Sequence, residues 1–278
     1  MRRQNGVAPD RVGFRGASQA GYVMPIAAST PPGPAFMIMI SGAMVTPGEQ
    51  IAFEAETALG AANLSAEERS LALDLTRQAL RVAQTGQSER EYFARVGRVS
   101  GTRWYRASPT PGEEEAWFFR WLRPIFDFDP RPFLAASSSP LRAYYGGRDT
   151  LVPARLSRAR LEALYQGGRA GLLTVIEHPE AGHDLRYENP QGERVLAFDY
   201  LNLMSAWIEA VTRQRPSPTN DDIPGLTPCA LSARRAYRNS HRNTLNLADA
   251  THSAFQSDAT RRSRSPSPTI RVAPSLRH

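Results

Sequence analysis

The chain has 278 residues, 41% of them hydrophobic, enough for one sizeable core and an appended subdomain. Its net charge of +7 is unevenly spread: residues 1–214 carry 24 arginines against 23 acids, residues 215–278 carry 10 arginines and 4 acids, and there is no lysine. The basicity belongs to a tail, which argues against a nucleic-acid-binding face on the body. The single Cys229 excludes an intramolecular disulfide and a cysteine-based metal cluster.

Arg2 and Arg3 lead into "QNGVAPD" rather than an apolar segment, so no signal peptide is expected and a cytoplasmic location is the default expectation. Arg11 to Arg15 is a strand candidate. Gln19 to Ser29 is a helix candidate opened by the small-residue turn "GASQAG". Ala35 to Ile40 is a near-continuous apolar run, the pattern of a strand buried on both faces of a parallel sheet. The apolar stretch Ala35 to Val45 is too short for a bilayer and is broken by Ser41 and Gly42.

Residues 46–134 read as a helical insertion. Thr46-Pro47-Gly48-Glu49 has a capping residue, a proline suited to the first helical position and an acid that can return a bond to the cap. Thr110-Pro111-Gly112-Glu113 repeats that pattern, and Ser65 to Glu68 and Ser88 to Glu91 are two further capping boxes. Leu71, Leu75, Ala79 and Val82 are expected on one buried helix face. Trp117, Phe118, Trp121 and Leu122, followed by Phe126 and Phe128, form an aromatic cluster. It suits a core first, and an acyl pocket lined by Trp117, Phe118 and Trp121 second.

Leu141 to Tyr145 and Leu172 to Glu177 are two more buried strands, so the class is α/β with about four parallel strands. Residues 215–278 are rich in Ser, Thr, Asn, Pro and Arg and show no apolar period, which predicts disorder. Their "RRSRSPSP" admits RNA binding as a minor alternative, and their composition also fits a shifted reading frame after Gln214.

Three loops carry the chemistry. A strand-turn-helix with G-x-S-x-G lifts a serine hydroxyl clear of a sheet, and needs small flanks because the two backbones nearly touch. Gly16-Ala17-Ser18-Gln19-Ala20 follows this with Ala20 in the second glycine position and Gly21 next. A serine nucleophile needs a base held by a carboxylate. Residues 1–214 hold only His178 and His183. His183, in "HPEAGHDL", lies on a loop after the last strand; His178, before Pro179, reads as structural. Asp149, in "YYGGRDTLVP", follows a strand and a Gly-Gly turn. The order Ser18, Asp149, His183 is that of the α/β-hydrolases. Arg148 and Asp184 have no assigned role. Neither a metal site nor a phosphate-binding loop is expected, and no cofactor is called for.

From about Val7 to Arg213 the chain resembles the C-terminal part of an α/β-hydrolase of the dipeptidyl-aminopeptidase/acylaminoacyl-peptidase-like esterase group. The matching stretches are "DRVGFRGASQAGYVMPIAA", "MIMISGAMVTPGEQ", "FDFDPRPFL", "YYGGRDTLVP" and "EAGHDL". The resemblance implies Ser18 as nucleophile, Asp149 as orienting acid, His183 as general base, and residues 46–134 as a cap subdomain. The core is then a partial α/β-hydrolase sheet made of residues 1–45 and 135–214. Members of that group place strands before the elbow, so "RVGF" is expected to form an exposed edge. Of the two oxyanion donors, only the N–H of Gln19 is expected here.

The leading expectation is a serine hydrolase acting on a small ester, thioester or amide, with activity impaired by N-terminal truncation. The alternatives are an inactive remnant, and half of a split enzyme completed by another chain pairing along Arg11 to Arg15. No membrane partner is expected.

Overall fold

The computed structural model describes residues 7–213; the expectations for residues 215–278 lie outside them. Four parallel strands form one sheet: β1 (Phe14–Ala17), β2 (Met37–Ile40), β3 (Leu141–Gly146) and β4 (Leu173–His178), in the spatial order β1-β2-β3-β4. The class is α/β. Because each neighbour runs parallel, every connection is a crossover rather than a hairpin. The first crossover is α1 (Ala20–Ala28) and the last contains α8 (Ala154–Leu164).

The pleat sorts the strand side chains onto two faces. Met37 and Met39 of β2, with Leu141, Ala143 and Tyr145 of β3, pack with Met24 and Ala28 of α1 and Leu161 of α8. Ile38 and Ile40, with Tyr144, enter the opposite cluster, which is covered by α9 (Tyr200–Arg213) through Met204, Trp207 and Ile208. All four β2 side chains are buried, as a central strand requires.

Among the described residues β1 and β4 are the two edge strands, and the side chains of β1 are only half-buried or exposed. It starts at Phe14 rather than Arg11, because residues 9–11 close a 3₁₀ turn in which Arg11 N–H donates to Ala8 O.

The segment between β2 and β3 is helical: α2 (Pro47–Ala61), α3 (Ala66–Thr85), α4 (Glu89–Val99), α5 (Arg103–Ala107), α6 (Trp117–Leu122) and α7 (Arg131–Ala135). Both Thr46/Glu49 and Ser65/Glu68 form reciprocal capping boxes. Ser88 does not: it sits at φ 60° and its side chain caps nothing, although α4 begins where expected. Nor does Pro111 open a helix. Glu115, not Glu113, returns its carboxylate to Gly112 N–H, and α6 starts only at Trp117. The buried face of α3 is Ala72, Leu75, Ala79, Val82 and Ala83, with Leu71 exposed. Leu75, Ala79 and Val82 are buried as expected; in the first turn Ala72 rather than Leu71 joins the insertion's own core.

β5 (Arg186–Glu188) and β6 (Arg194–Leu196) form an antiparallel hairpin that the sequence pattern did not announce. Its strands are short and carry no apolar alternation. Among the described residues, no helix is long and apolar enough to cross a membrane.

Candidate active site

Ser18 follows the last residue of β1 and precedes α1. Its N–H donates to Ile40 O of β2, so the strand pairing continues one residue past the strand end. Its backbone then turns at φ 53°, a left-handed conformation that costs a non-glycine residue free energy and persists only when the surroundings impose it. The surroundings here are close backbone approaches. A Cβ added at Gly21 would lie 2.5 Å from Ala43 N, so α1 rests directly on the segment after β2. Ser41, at the end of β2, is also left-handed (φ 46°), but it is fully buried and its hydroxyl has no partner.

Asp149 and His183 come together. His183 Nδ1 lies 2.9 Å from Asp149 Oδ2. The Asp149 side chain is fully buried and the imidazole is 22% exposed. Asp149 Oδ1 accepts N–H bonds from Leu151 (2.8 Å) and Val152 (2.9 Å), which fix the carboxylate before the imidazole meets it.

The two loops are clamped backbone to backbone. Gly147 N–H donates to His178 O, and Arg148 N–H to Ala181 O. The contact is too tight for side chains: a Cβ at Gly146 would meet Gly182 O at 2.2 Å, and one at Gly147 would meet Pro179 O at 2.5 Å. On the far side, Gly182 N–H donates to Arg186 O and Ala197 N–H to Leu185 O, so the hairpin holds the His183 loop from below. Arg148 pairs with Glu180 across the loops, and Asp184 pairs with Arg194 on the hairpin.

His178 is set in β4 with its ring stacked on Tyr144, and burial lowers its pKa. No hydrogen bond joins Ser18 Oγ to His183 in this structure. Gln19 stands at the N-terminus of α1, and its carbonyl accepts from the N–H groups of Tyr22 and Val23.

Of the aromatic cluster, the first expectation, a core role, describes two residues. Phe118 and Trp121 pack against the insertion's core, and Trp117 is 46% exposed. The aromatic side chain on the helix that follows Ser18 is Tyr22, which meets Phe128 edge-on at 6.2 Å; Phe128 in turn tilts against Phe133.

Tyr22 also opens a polar chain that sequence reading missed. Its hydroxyl donates to Gln50 Oε1 (2.9 Å), and Gln50 Nε2 donates to Glu54 Oε1 (3.1 Å). Burial pushes Glu54 up to about 7, with Asp149 raising it further and His183 opposing. The only available signal was that Gln50 and Glu54 are one turn apart on a helix directly after β2.

Among the described residues, no group of three or more His, Cys, Asp or Glu side chains is arranged to hold a metal ion.

No family model matches the chain, and no curated protein matches it. Solved structures do. A DcsB complex with its substrate analogue is 15% identical over 77% of this chain and 68% of that one, with a TM-score of 0.37. The meta-cleavage product hydrolase CumD from Pseudomonas fluorescens IP01 is 15% identical over 72% and 63%, with a TM-score of 0.32. The enol-lactonase from Burkholderia xenovorans LB400 is 15% identical over 72% and 64%, with a TM-score of 0.31. The chain thus spans about two thirds of each of these. Overlaps this loose do not bear on the chemistry.

Proposed function

We propose that the chain is a serine hydrolase of α/β-hydrolase type, cleaving a small ester, thioester or amide through Ser18, His183 and Asp149. The observation that carries this reading is the Asp149–His183 contact on the loops after β3 and β4, combined with the strained turn that presents Ser18 after β1. In a parallel sheet these three strand ends lie on one edge, which is where ligands meet such folds.

Asp149 Oδ2 accepts the Nδ1 proton of His183, leaving Nε2 as base. Nε2 takes the Ser18 hydroxyl proton as Oγ bonds to the substrate carbonyl carbon. The carbonyl π electrons move to oxygen, where the N–H of Gln19 and the positive end of the α1 dipole stabilise the charge. The imidazolium then gives its proton to the departing alkoxide, thiolate or amine as that bond breaks. A water repeats the sequence on the acyl-enzyme, returning Ser18 and releasing the acid.

A fluorophosphonate probe tests this reading without the natural substrate. Labelling that disappears in Ser18→Ala and His183→Ala supports it; folded protein that stays unlabelled sinks it.

A second reading is that a strand from another chain completes the active form along β1. The edge position of β1 favours it, since an unpaired edge invites strand addition. Labelling that appears only in a hetero-complex, not with the chain alone, is its signature.

A further inference from the structure

Glu54 is a half-buried carboxyl, joined through Gln50 to the helix that follows Ser18, that the chemistry above does not use. It lies on α2, one turn past Gln50, and its Oε1 accepts the Gln50 amide at 3.1 Å. Gln50 is held from its other end by Tyr22, four residues after Ser18 on the helix that follows it. Glu54 is thereby fixed against the base of α1 rather than swinging on the surface. Its other oxygen, Oε2, receives no hydrogen bond from a described residue, and it is not sealed from solvent.

The neighbouring carboxylates make the contrast. Glu49, one turn earlier on α2, is gripped by both terminal nitrogens of Arg160, and Asp129 is gripped by Arg131. Glu54 has no arginine partner among the described residues, and the chain has no lysine to supply one. Burial, before anything else, raises its pKa; the Gln50 bond opposes this, and His183 and Asp149 act on it in opposite directions. Half-buried carboxylates are ordinarily matched by a cation, because burial alone penalises the ionised form. The bonds that hold Glu54 lead through Gln50 to Tyr22, on the helix that follows Ser18.

We propose that Glu54 is a specificity-determining residue that receives a cationic, hydrogen-bond-donating group of the substrate, an ammonium or guanidinium, through its free Oε2. The inference rests on the hydrolase reading for the word substrate, and on the Tyr22–Gln50–Glu54 hydrogen bonds for the site. Burial and Asp149 hold the Glu54 carboxyl up at about 7, and an incoming cation returns it to the ionised form and replaces the missing counter-ion. Tyr22 and Gln50 keep Oε1 occupied, so Oε2 is the oxygen offered.

Two fluorophosphonate probes of equal length, one ending in an ammonium and one in a hydroxyl, test this on the full chain at pH 8. The cationic probe is expected to label wild type about tenfold faster, the worth of one charge-assisted hydrogen bond. In Glu54→Gln, which keeps the shape and the bond from Gln50, the ratio is expected to fall close to one; Glu54→Leu provides the same comparison if that variant misfolds. An equal ratio in wild type and variant overturns the inference and leaves the hydrolase reading intact. Where neither probe labels, that reading falls and a thermal-shift titration with pentylammonium against 1-pentanol decides the site. A saturable ammonium shift seen only with Glu54 in place upholds it, and matched shifts in wild type and variant overturn it.

Discussion

The methyl group of Ala20 occupies the space into which a side chain on Gly16 would project: a Cβ added at Gly16 would lie 2.4 Å from Ala20 Cβ and 3.4 Å from Met24 Cε. The strand and helix that flank Ser18 therefore fit only because one partner of the contact has no side chain. This also explains how alanine is accommodated in the second small position of the turn. Gly16→Ala is expected to destabilise the protein by about 1–3 kcal/mol, the usual cost of overpacking. Adding Ala20→Gly to that variant removes the collision and is expected to recover much of the loss, a coupling visible in a double-mutant cycle of urea unfolding. Additive effects of the two substitutions would show that the contact is not where the strain arises.

Asp149 has two jobs on two oxygens, and they separate by substitution. Oδ1 holds the N–H groups of Leu151 and Val152; Oδ2 faces His183 Nδ1. Asp149→Asn keeps an acceptor for the two N–H groups but presents a donor to the ring, which favours the wrong tautomer. Probe labelling is expected to fall by about 10⁴, the scale of such a change in another serine hydrolase, with little shift in the unfolding midpoint. Asp149→Ala strands the buried N–H of Val152 and is expected to cost roughly 1–3 kcal/mol, as well as labelling; the N–H of Leu151, on an exposed residue, can turn to water. Equal stabilities for the two variants would remove the structural role assigned to Oδ1.

Gly146 tests whether the two loops are positioned by their backbone contact. A methyl there meets Gly182 O at 2.2 Å, and the carbonyl cannot yield without moving His183, its neighbour in the chain. Gly146→Ala is expected to reduce labelling at least about tenfold even where the protein stays folded, because small displacements of catalytic groups are costly. Gly168, with no atom within 4 Å of its notional Cβ, provides the control: Gly168→Ala is expected to leave labelling as it is.

The parallel sheet was legible because its strands carry continuous apolar runs. Met37 to Ile40 sends alternate side chains into two different cores, and only a strand covered on both faces needs that composition. Asp149 and His183 could be placed on neighbouring loops because each follows such a run, and the structure brings those two side chains together; Ser18 was singled out by its small-residue turn, since the strand before it is not an apolar run. The hairpin beneath His183 was not legible, since Arg186–Glu188 and Arg194–Leu196 are short and polar and are held by backbone bonds from Gly182 and Ala197. Glu54 was hidden for another reason. A glutamate on an amphipathic helix reads as solvated surface, and only the packing of α2 against Tyr22 shows that this one is not. The aromatic cluster read first as core, and Phe118 and Trp121 do pack against the insertion's own core.

Glu54 has a consequence for stability that is independent of any substrate. Its carboxyl is pushed up to about 7 from an ordinary value of 4.5, so the folded chain keeps a proton there that the unfolded chain has lost. Stability then falls as pH rises through the window from 4.5 to 7, the reverse of the usual carboxylate behaviour. Glu49, lowered to about 2 by Arg160 and the capping bond, acts in the window below 4.5 and does not overlap. Glu54→Gln removes the penalty without emptying the space. It is expected to unfold at higher urea than wild type at pH 8, by roughly 1–3 kcal/mol once partial exposure is allowed for, and at a similar concentration at pH 4.5. A difference between the two proteins that does not change with pH would show that the carboxyl is solvated, and would remove the argument that it waits for a cation.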